Sequence, residues 1–282
     1  MKANYKFKSM PKSFWADVRA IGQENGYTVR GTGELKVPTV KSIEKVYDTL
    51  SLDKSNIIVD GQPTQHAINL IDYFQYRADV LHQDVEPNLM DANRAKETFE
   101  MLYKRYNPSC PIPMNKQKGV KKAPAYLTSI INILIEANIR GLQCDYDPRK
   151  LATITYNDTP VRTLARRVDG AFPSTVNPIA LWEIKEYYYT TTFGSRVADG
   201  VYETLLDGME LEELHEHENI KVLHYLMVDA HYTWWDCGKS YLCRMIDMLH
   251  MGYVDEILFG YEVVDRVPEI VKEWVELYNT KN

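Results

Sequence analysis

Long apolar runs are what this chain of 282 residues lacks: nothing in it approaches the roughly 20 consecutive apolar residues of a membrane-spanning helix. A membrane partner is therefore not expected. The opening residues, MKANYKFKSMPKSFW, contain no apolar stretch of the kind a secretion signal uses, which makes a cytoplasmic location the expectation. Cysteine is scarce too. Cys110, Cys144, Cys237 and Cys243 form no CxxC pair, so neither a zinc knuckle nor a disulfide scaffold is indicated, and reduced, mostly buried thiols are expected. His215, His217 and His224 flank a glutamate-rich turn without metal-ligand spacing, and read as a surface cluster. Hydrophobic residues, at 45%, are enough for a core, which excludes a disordered chain and allows one large domain or two modest ones.

The net charge of −6 hides a division. Residues 1–125 hold 19 basic and 14 acidic side chains, whereas residues 126–282 hold 14 and 25. A net acidic protein still binds nucleic acid through a local basic face, because affinity follows the lysines and arginines near phosphates.

The first hundred residues read as helices: Phe14 to Asn25 ending at Gly26, Val40 to Leu52 after Pro38-Thr39, Gln65 to His82 after Pro63-Thr64, and Leu89 to Tyr106. Residues 1–108 are expected to form a helical region that either reads DNA or serves as an accessory or dimer lobe; none of its helices has a dense basic face. Residues 109–124 combine prolines and lysines as a linker or exposed loop, and residues 125–282 form the third segment. There, Ala125 to Ile139 reads as an apolar helix carrying one acid, Glu136. Leu151 to Tyr156 reads as a strand with Asn157-Asp158 as its turn, Leu164 to Asp169 as a second strand ending at a Gly170–Pro173 turn, and Pro178 to Tyr189 as a third. Ser195 to Glu213 reads as a helix, Lys221 to Tyr232 as a buried strand, and Lys239 to His250 as a helix.

Chemistry concentrates at Asp169 and at Trp182-Glu183-Ile184-Lys185. Side chains alternate along a strand, so Glu183 and Lys185 project to one face about 7 Å apart, while Trp182, Ile184 and Glu186 project to the other. Antiparallel pairing would place Asp169 beside Glu183. Hard carboxylate oxygens hold Mg²⁺, and an ammonium beside them stabilises phosphoryl charge or, with a lowered pKa, helps deprotonate water. The bland alternative is a solvated charge pair on an edge strand.

An Asp followed by Glu-x-Lys on adjacent strands, here Val168-Asp169 and Glu183-Ile184-Lys185, resembles the PD-(D/E)XK nuclease superfamily, with Val in place of the usual Pro. The resemblance covers roughly residues 125–262. It implies an α/β fold with a restriction-endonuclease-like core, a central mixed β-sheet flanked by helices, next to the helical N-terminal region. It also implies Mg²⁺-dependent hydrolysis of double-stranded DNA, with Mn²⁺ as a substitute ion. Asp169 and Glu183 would hold the metal, Lys185 would stabilise charge or position water, and Glu136, on the helix before the strands, would complete the site or else pair with an arginine such as Arg166. The closest kind of relative implied is a type II restriction or phage-defence endonuclease, working as a homodimer beside a cognate DNA methyltransferase. A repair or recombination nuclease, or a catalytically silent DNA-binding scaffold, is the alternative. For DNA contacts, Lys116, Lys118, Lys121 and Lys122 are candidates for phosphates, Asn115 and Gln117 for base edges, and Ser195 and Arg196 at a helix N-terminus for a phosphate near the site.

Overall fold

The computed structural model describes every residue except Gln117, Val120, Lys121, Thr191, Thr192 and Asn282. The N-terminal region is helical: α1 (Tyr5–Lys8), α2 (Lys12–Asn25), α3 (Val40–Thr49) and α4 (Gln65–Val80), with a two-residue hairpin of β1 (Ile58–Val59) and β2 (Gln62–Pro63) before α4. Their starts are written locally. Thr39 and Ser42 form a reciprocal capping box on α3, and the Thr64 hydroxyl accepts from the Ala67 N–H at the start of α4. Phe14, Val18 and Ile21 recur along one face of α2 and meet Ile43 and Val46 of α3 and Leu70 and Phe74 of α4 in one buried cluster.

The remainder runs α5 (Ala92–Tyr106), α6 (Tyr126–Asn138), β3 (Asp145–Tyr146), β4 (Thr153–Tyr156), β5 (Thr159–Thr163), β6 (Gly170–Phe172), β7 (Ala180–Glu186), α7 (Ser195–Glu218), β8 (Leu223–Asp229), α8 (Lys239–His250), β9 (Glu256–Phe259) and α9 (Glu262–Lys281). Five strands form a mixed sheet in the order β3-β6-β7-β8-β9; β6 pairs antiparallel with both β3 and β7, and β7, β8 and β9 are parallel. Parallel neighbours require crossovers, which α7 and α8 supply. One sheet face packs on α6 and α9, where Trp182 stacks on Trp274 with ring centroids 5.4 Å apart. The other face packs Leu226, Val228 and Ile257 against Val197 and Val201 of α7 and Leu242 and Ile246 of α8. The molecule is thus mixed α/β, with a mixed sheet flanked by helices and a helical N-terminus. Among the described residues no helix is long and apolar enough to cross a membrane.

Several sequence expectations need correction. Leu164–Asp169 is not a strand; the strand is Gly170–Phe172, read from sequence as a turn. Gly170 is required there because a Cβ would fall 1.9 Å from the Trp182 indole, so the glycine reports close packing and not a reversal of the chain. Thr153–Tyr156 is a strand, but it pairs with β5 in a separate hairpin, and the partner of β6 in the main sheet is the short β3. The described residues of the 109–124 segment pack against α6: Cys110 is buried, Asn132 Nδ2 donates to the Pro111 carbonyl at 2.9 Å, and the Asn115 N–H donates to the Ala123 carbonyl at 2.9 Å. Finally, α5, expected within the helical region of residues 1–108, packs on α6 within the sheet's core.

A buried ion pair ties the two regions. Arg77 of α4 donates to both carboxylate oxygens of Asp247 of α8 at 2.9 Å, and the Tyr73 hydroxyl donates to the same carboxylate at 2.6 Å.

Candidate active site

Strand β7 is buried from Ala180 through Glu183. Strand alternation turns Trp182 toward α9 and Glu183 and Lys185 toward α7, as the sequence implies. Glu183 and Lys185 are both buried, and Lys185 Nζ donates to Glu183 Oε2 at 2.8 Å. Asp169 precedes β6, and its Oδ2 accepts from the Ile184 N–H at 2.7 Å, which fixes the carboxylate against the middle of the Glu-x-Lys segment. The backbone reinforces this, since the Asp169 N–H donates to the Trp182 carbonyl at 3.1 Å.

Helix α7 supplies two further acids. Its buried residues, Val197, Gly200, Val201, Thr204, Asp207, Gly208, Leu211 and Leu214, follow the 3.6-residue period of a face laid on the sheet. Gly200 lets the helix approach: a Cβ there would lie 3.2 Å from Lys185 Cδ. Asp207 on this face is fully buried, and Glu203 reaches in from its edge. Arg166 joins them, with Nη1 2.6 Å from Asp207 Oδ2 and 3.0 Å from Glu183 Oε1, and Nη2 3.2 Å from Glu203 Oε2. Lys185 Nζ also lies 3.4 Å from Glu203 Oε2.

Four carboxylates around two cations leave the acids under-compensated. Burial, then the charge of Glu183, pushes the Asp169 carboxyl up to about 6 against the pull of Lys185. The same two causes push Asp207 up to about 7, against the pull of Arg166. Burial alone would lower Lys185, but Glu183 and Asp169 outweigh it and hold the ammonium above its ordinary value. Glu183 and Asp169 thus favour the ammonium form of Lys185.

Alongside lies a cleft of about 1150 Å³, lined by Asp169, Ile184, Arg166, Arg167, Arg149 and Lys116, among others. Lys116 and Arg167 are exposed and have no ion pair among the described residues. Of the other proposed contacts, Lys118 and Lys122 are exposed but do not line this cleft, and Lys121 and Gln117 lie outside the described residues. Ser195 and Arg196 occupy the exposed first turn of α7, also off the cleft.

Glu136 is not part of the cluster. Its carboxylate accepts from the Ser109 N–H at 3.0 Å and from the Ser109 hydroxyl, capping the loop after α5. The strand that carries Glu183 meets α6 at its first turn, where Glu186 Oε2 accepts from the Thr128 N–H at 3.0 Å. Glu136 is two turns farther along, roughly 12 Å by helical rise. Nor does it pair with Arg166, which is committed to Glu183, Glu203 and Asp207.

Among the described residues no group of three or more His, Cys, Asp or Glu side chains is arranged to hold a metal ion. The donor set nevertheless suits a hard divalent cation. Asp169 and Glu183 present carboxylate oxygens, and two buried ones, Glu183 Oε1 and Asp207 Oδ1, have no aligned hydrogen-bond donor. Arg166 lies between those two acids, where its guanidinium neutralises part of the charge a cation would otherwise balance.

Residues 90–274 match the family model described as Domain of unknown function (DUF7687). The chain belongs to that family. Residues 1–84 match a second model, Domain of unknown function (DUF7690). No curated protein and no solved structure matches the chain. The DUF7687 match contains the whole cluster, from Arg166 to Asp207, together with the five-stranded sheet and α5. Sequence reasoning missed the acids of α7. Their signal was present, since Asp207 falls on the apolar period of that helix, a position a charge occupies only with a partner.

Proposed function

We propose that the chain is a Mg²⁺-dependent deoxyribonuclease whose residues 125–282 form a restriction-endonuclease-like core. The observation that carries this reading is the juxtaposition of Asp169, Glu183 and Lys185: one carboxylate locked to the Ile184 N–H and lining a cleft that bears Lys116, Arg149 and Arg167, the other buried behind it and bonded to the Lys185 ammonium. Element order supports it. Within the main sheet, α6 is followed by β3, β6 and β7, then by α7 and the parallel β8, with the separate β4-β5 hairpin inserted between β3 and β6.

In this reading Asp169 and Glu183 hold Mg²⁺, for which Mn²⁺ substitutes. Bound there, the ion would supply a water of lowered pKa and offset phosphoryl charge. The chain's own residues do the rest. Lys185 keeps its proton and offsets the negative charge that grows on the phosphoryl group in the transition state. The Ile184 N–H fixes one oxygen of Asp169 and leaves the other for the ion. Lys116, Arg149 and Arg167 line the cleft as phosphate contacts that position the duplex without reading its sequence. A type II restriction or phage-defence role, with a homodimer on DNA and a methyltransferase partner, is the version of this activity we favour.

One observation favours a second reading. Arg166 and Lys185 already pair with Glu183, Glu203 and Asp207, which is what a structural charge network in a silent DNA-binding protein would look like. Incubating the protein with unmethylated plasmid and phage DNA, in Mg²⁺ or EDTA, beside Lys185→Ala separates the two. Discrete fragments that need Mg²⁺ and vanish in the variant establish a site-specific endonuclease, and a smear indicates a nonspecific or structure-directed one. No cleavage in Mg²⁺ or Mn²⁺ supports the silent network.

A further inference from the structure

A second cleft, of about 460 Å³, opens at the seam between the N-terminal helices and the sheet-bearing region. Arg19, Gln23 and Tyr27 come to it from α2 and the loop that follows, and Tyr202 and Arg244 from α7 and α8. Its charge balance is unusual. Asp247 is the one acid among its lining residues, and both oxygens of Asp247 are already committed to Arg77 and Tyr73. Neither Arg19 nor Arg244 has an ion pair among the described residues. The Arg244 guanidinium is surrounded by phenols and not by carboxylates. It lies 5.0 Å from the ring centre of Tyr27 and 4.6 Å from that of Tyr241, and Nη1 donates to the Tyr202 hydroxyl at 3.0 Å.

We infer that this seam cleft binds a nucleoside phosphate, with Arg244 and Arg19 on the phosphate and the exposed ring of Tyr202 under the base. An inorganic anion would satisfy the arginines and leave the apolar wall of Val201, Leu205 and Met248 wet, whereas an apolar ligand would leave two guanidinium groups unpaired. A planar base with a phosphate satisfies both. Arg pairs with phosphate through charge-assisted, two-pronged hydrogen bonds, and tyrosine stacks on bases of any identity. The volume falls in the range of pockets for ligands of that size, and seams between domains are where such pockets occur. Gln23 adds a carboxamide able to bond a base edge. The ligand is either a free nucleotide or the terminal nucleotide of a single strand. The cleft touches a different side of α7 from Glu203 and Asp207, so it stands apart from the proposed nuclease site.

Calorimetric titration of the full chain in EDTA tests this without engaging metal-dependent cleavage. The probes are AMP, ATP, GTP, inorganic phosphate, pyrophosphate and a 5′-phosphorylated pentathymidylate. Saturable one-site binding of a nucleoside phosphate is expected, with inorganic phosphate at least about tenfold weaker, and with a loss of about tenfold or more in Arg19→Gln and in Tyr202→Ala. Lys104→Ala, exposed on α5 and lining neither cleft, should bind as the wild type does. Both Arg19 and Tyr202 are exposed enough for these variants to fold, and a melting curve for each checks it. Tighter binding of the pentanucleotide than of the mononucleotides supports the inference with a strand end as the source, and the reverse supports it with a free nucleotide. Absence of binding by every probe, equal binding of phosphate and nucleotide, or full binding by both variants overturns it.

Discussion

Lys185 owes its place to strand alternation and its charge to Glu183, 2.8 Å away, and Asp169. Removing that ammonium should leave Glu183 buried against Arg166 alone. Lys185→Ala is accordingly expected to lose about 10²-fold or more in cleavage rate, the scale of a lost electrostatic stabiliser, while duplex binding in Ca²⁺, read by fluorescence anisotropy, stays within a few-fold. Gly170 is the neighbouring constraint. With Trp182 filling the space of its Cβ, Gly170→Ala is expected to destabilise the fold by about 1–3 kcal/mol or more in chemical denaturation, because the indole has to move. The residues of the Asp and Glu-x-Lys segments were legible in sequence because chemistry and periodicity coincide in them. The pairing of Arg166 with Asp207 was not, because the helical period marks Asp207 as needing a partner but no local pattern states that a loop arginine 41 positions earlier will supply it.

At the scale of elements, long periodic segments could be read and short ones could not. The helices α2, α3, α6 and α8 fall within a few residues of their expected spans, since caps and apolar spacing are local. The two-residue β3 and three-residue β6 have no period to detect, and Gly-Ala-Phe-Pro carries the composition of a turn. A further consequence lies at the end of β7 and β8, where Glu186 and Asp229 stand in register on adjacent strands. Burial pushes Asp229 up to about 8, only partly offset by hydrogen bonds from Tyr188 and the Met90 and Ala230 N–H groups. An acid whose folded pKa is raised is protonated in the folded chain over a range where the unfolded chain is ionised. Stability therefore falls as pH rises from the unfolded value of about 4 to about 8. His224 and His250, which burial pulls down, act in the opposite sense below about pH 6.5. Glu186 and Asp207, each pushed up to about 7, act in the same sense as Asp229, so the melting temperature should drop between about pH 7 and 8 in the wild type and drop less steeply in Asp229→Asn.

At the scale of the whole molecule, the helical and the sheet-bearing regions share an apolar cluster, where Val80, Leu81 and Val85 meet Val228 and Ile246, and a buried ion pair, Arg77 with Asp247. Truncating one partner leaves the other buried and uncompensated, so Arg77→Ala should cost about 3–5 kcal/mol. Partial loss of cooperativity in denaturant would show the two regions separating. Sequence reasoning drew the regional boundary after residue 108, guided by proline and lysine content. The packing of α5 on α6 and the start of the DUF7687 match at residue 90 associate α5 with the sheet instead. Composition marks a loop well, but it does not say which side of the loop a helix will pack on.

The most direct test of the central claim is the Mg²⁺-dependent cleavage of plasmid DNA by three proteins side by side: wild type, Glu183→Gln and Glu136→Gln. The Asp169, Glu183 and Lys185 site predicts cleavage by the wild type and by Glu136→Gln at similar rates, and none by Glu183→Gln. Cleavage that survives in Glu183→Gln, or that is lost in a folded Glu136→Gln, would contradict the site described here.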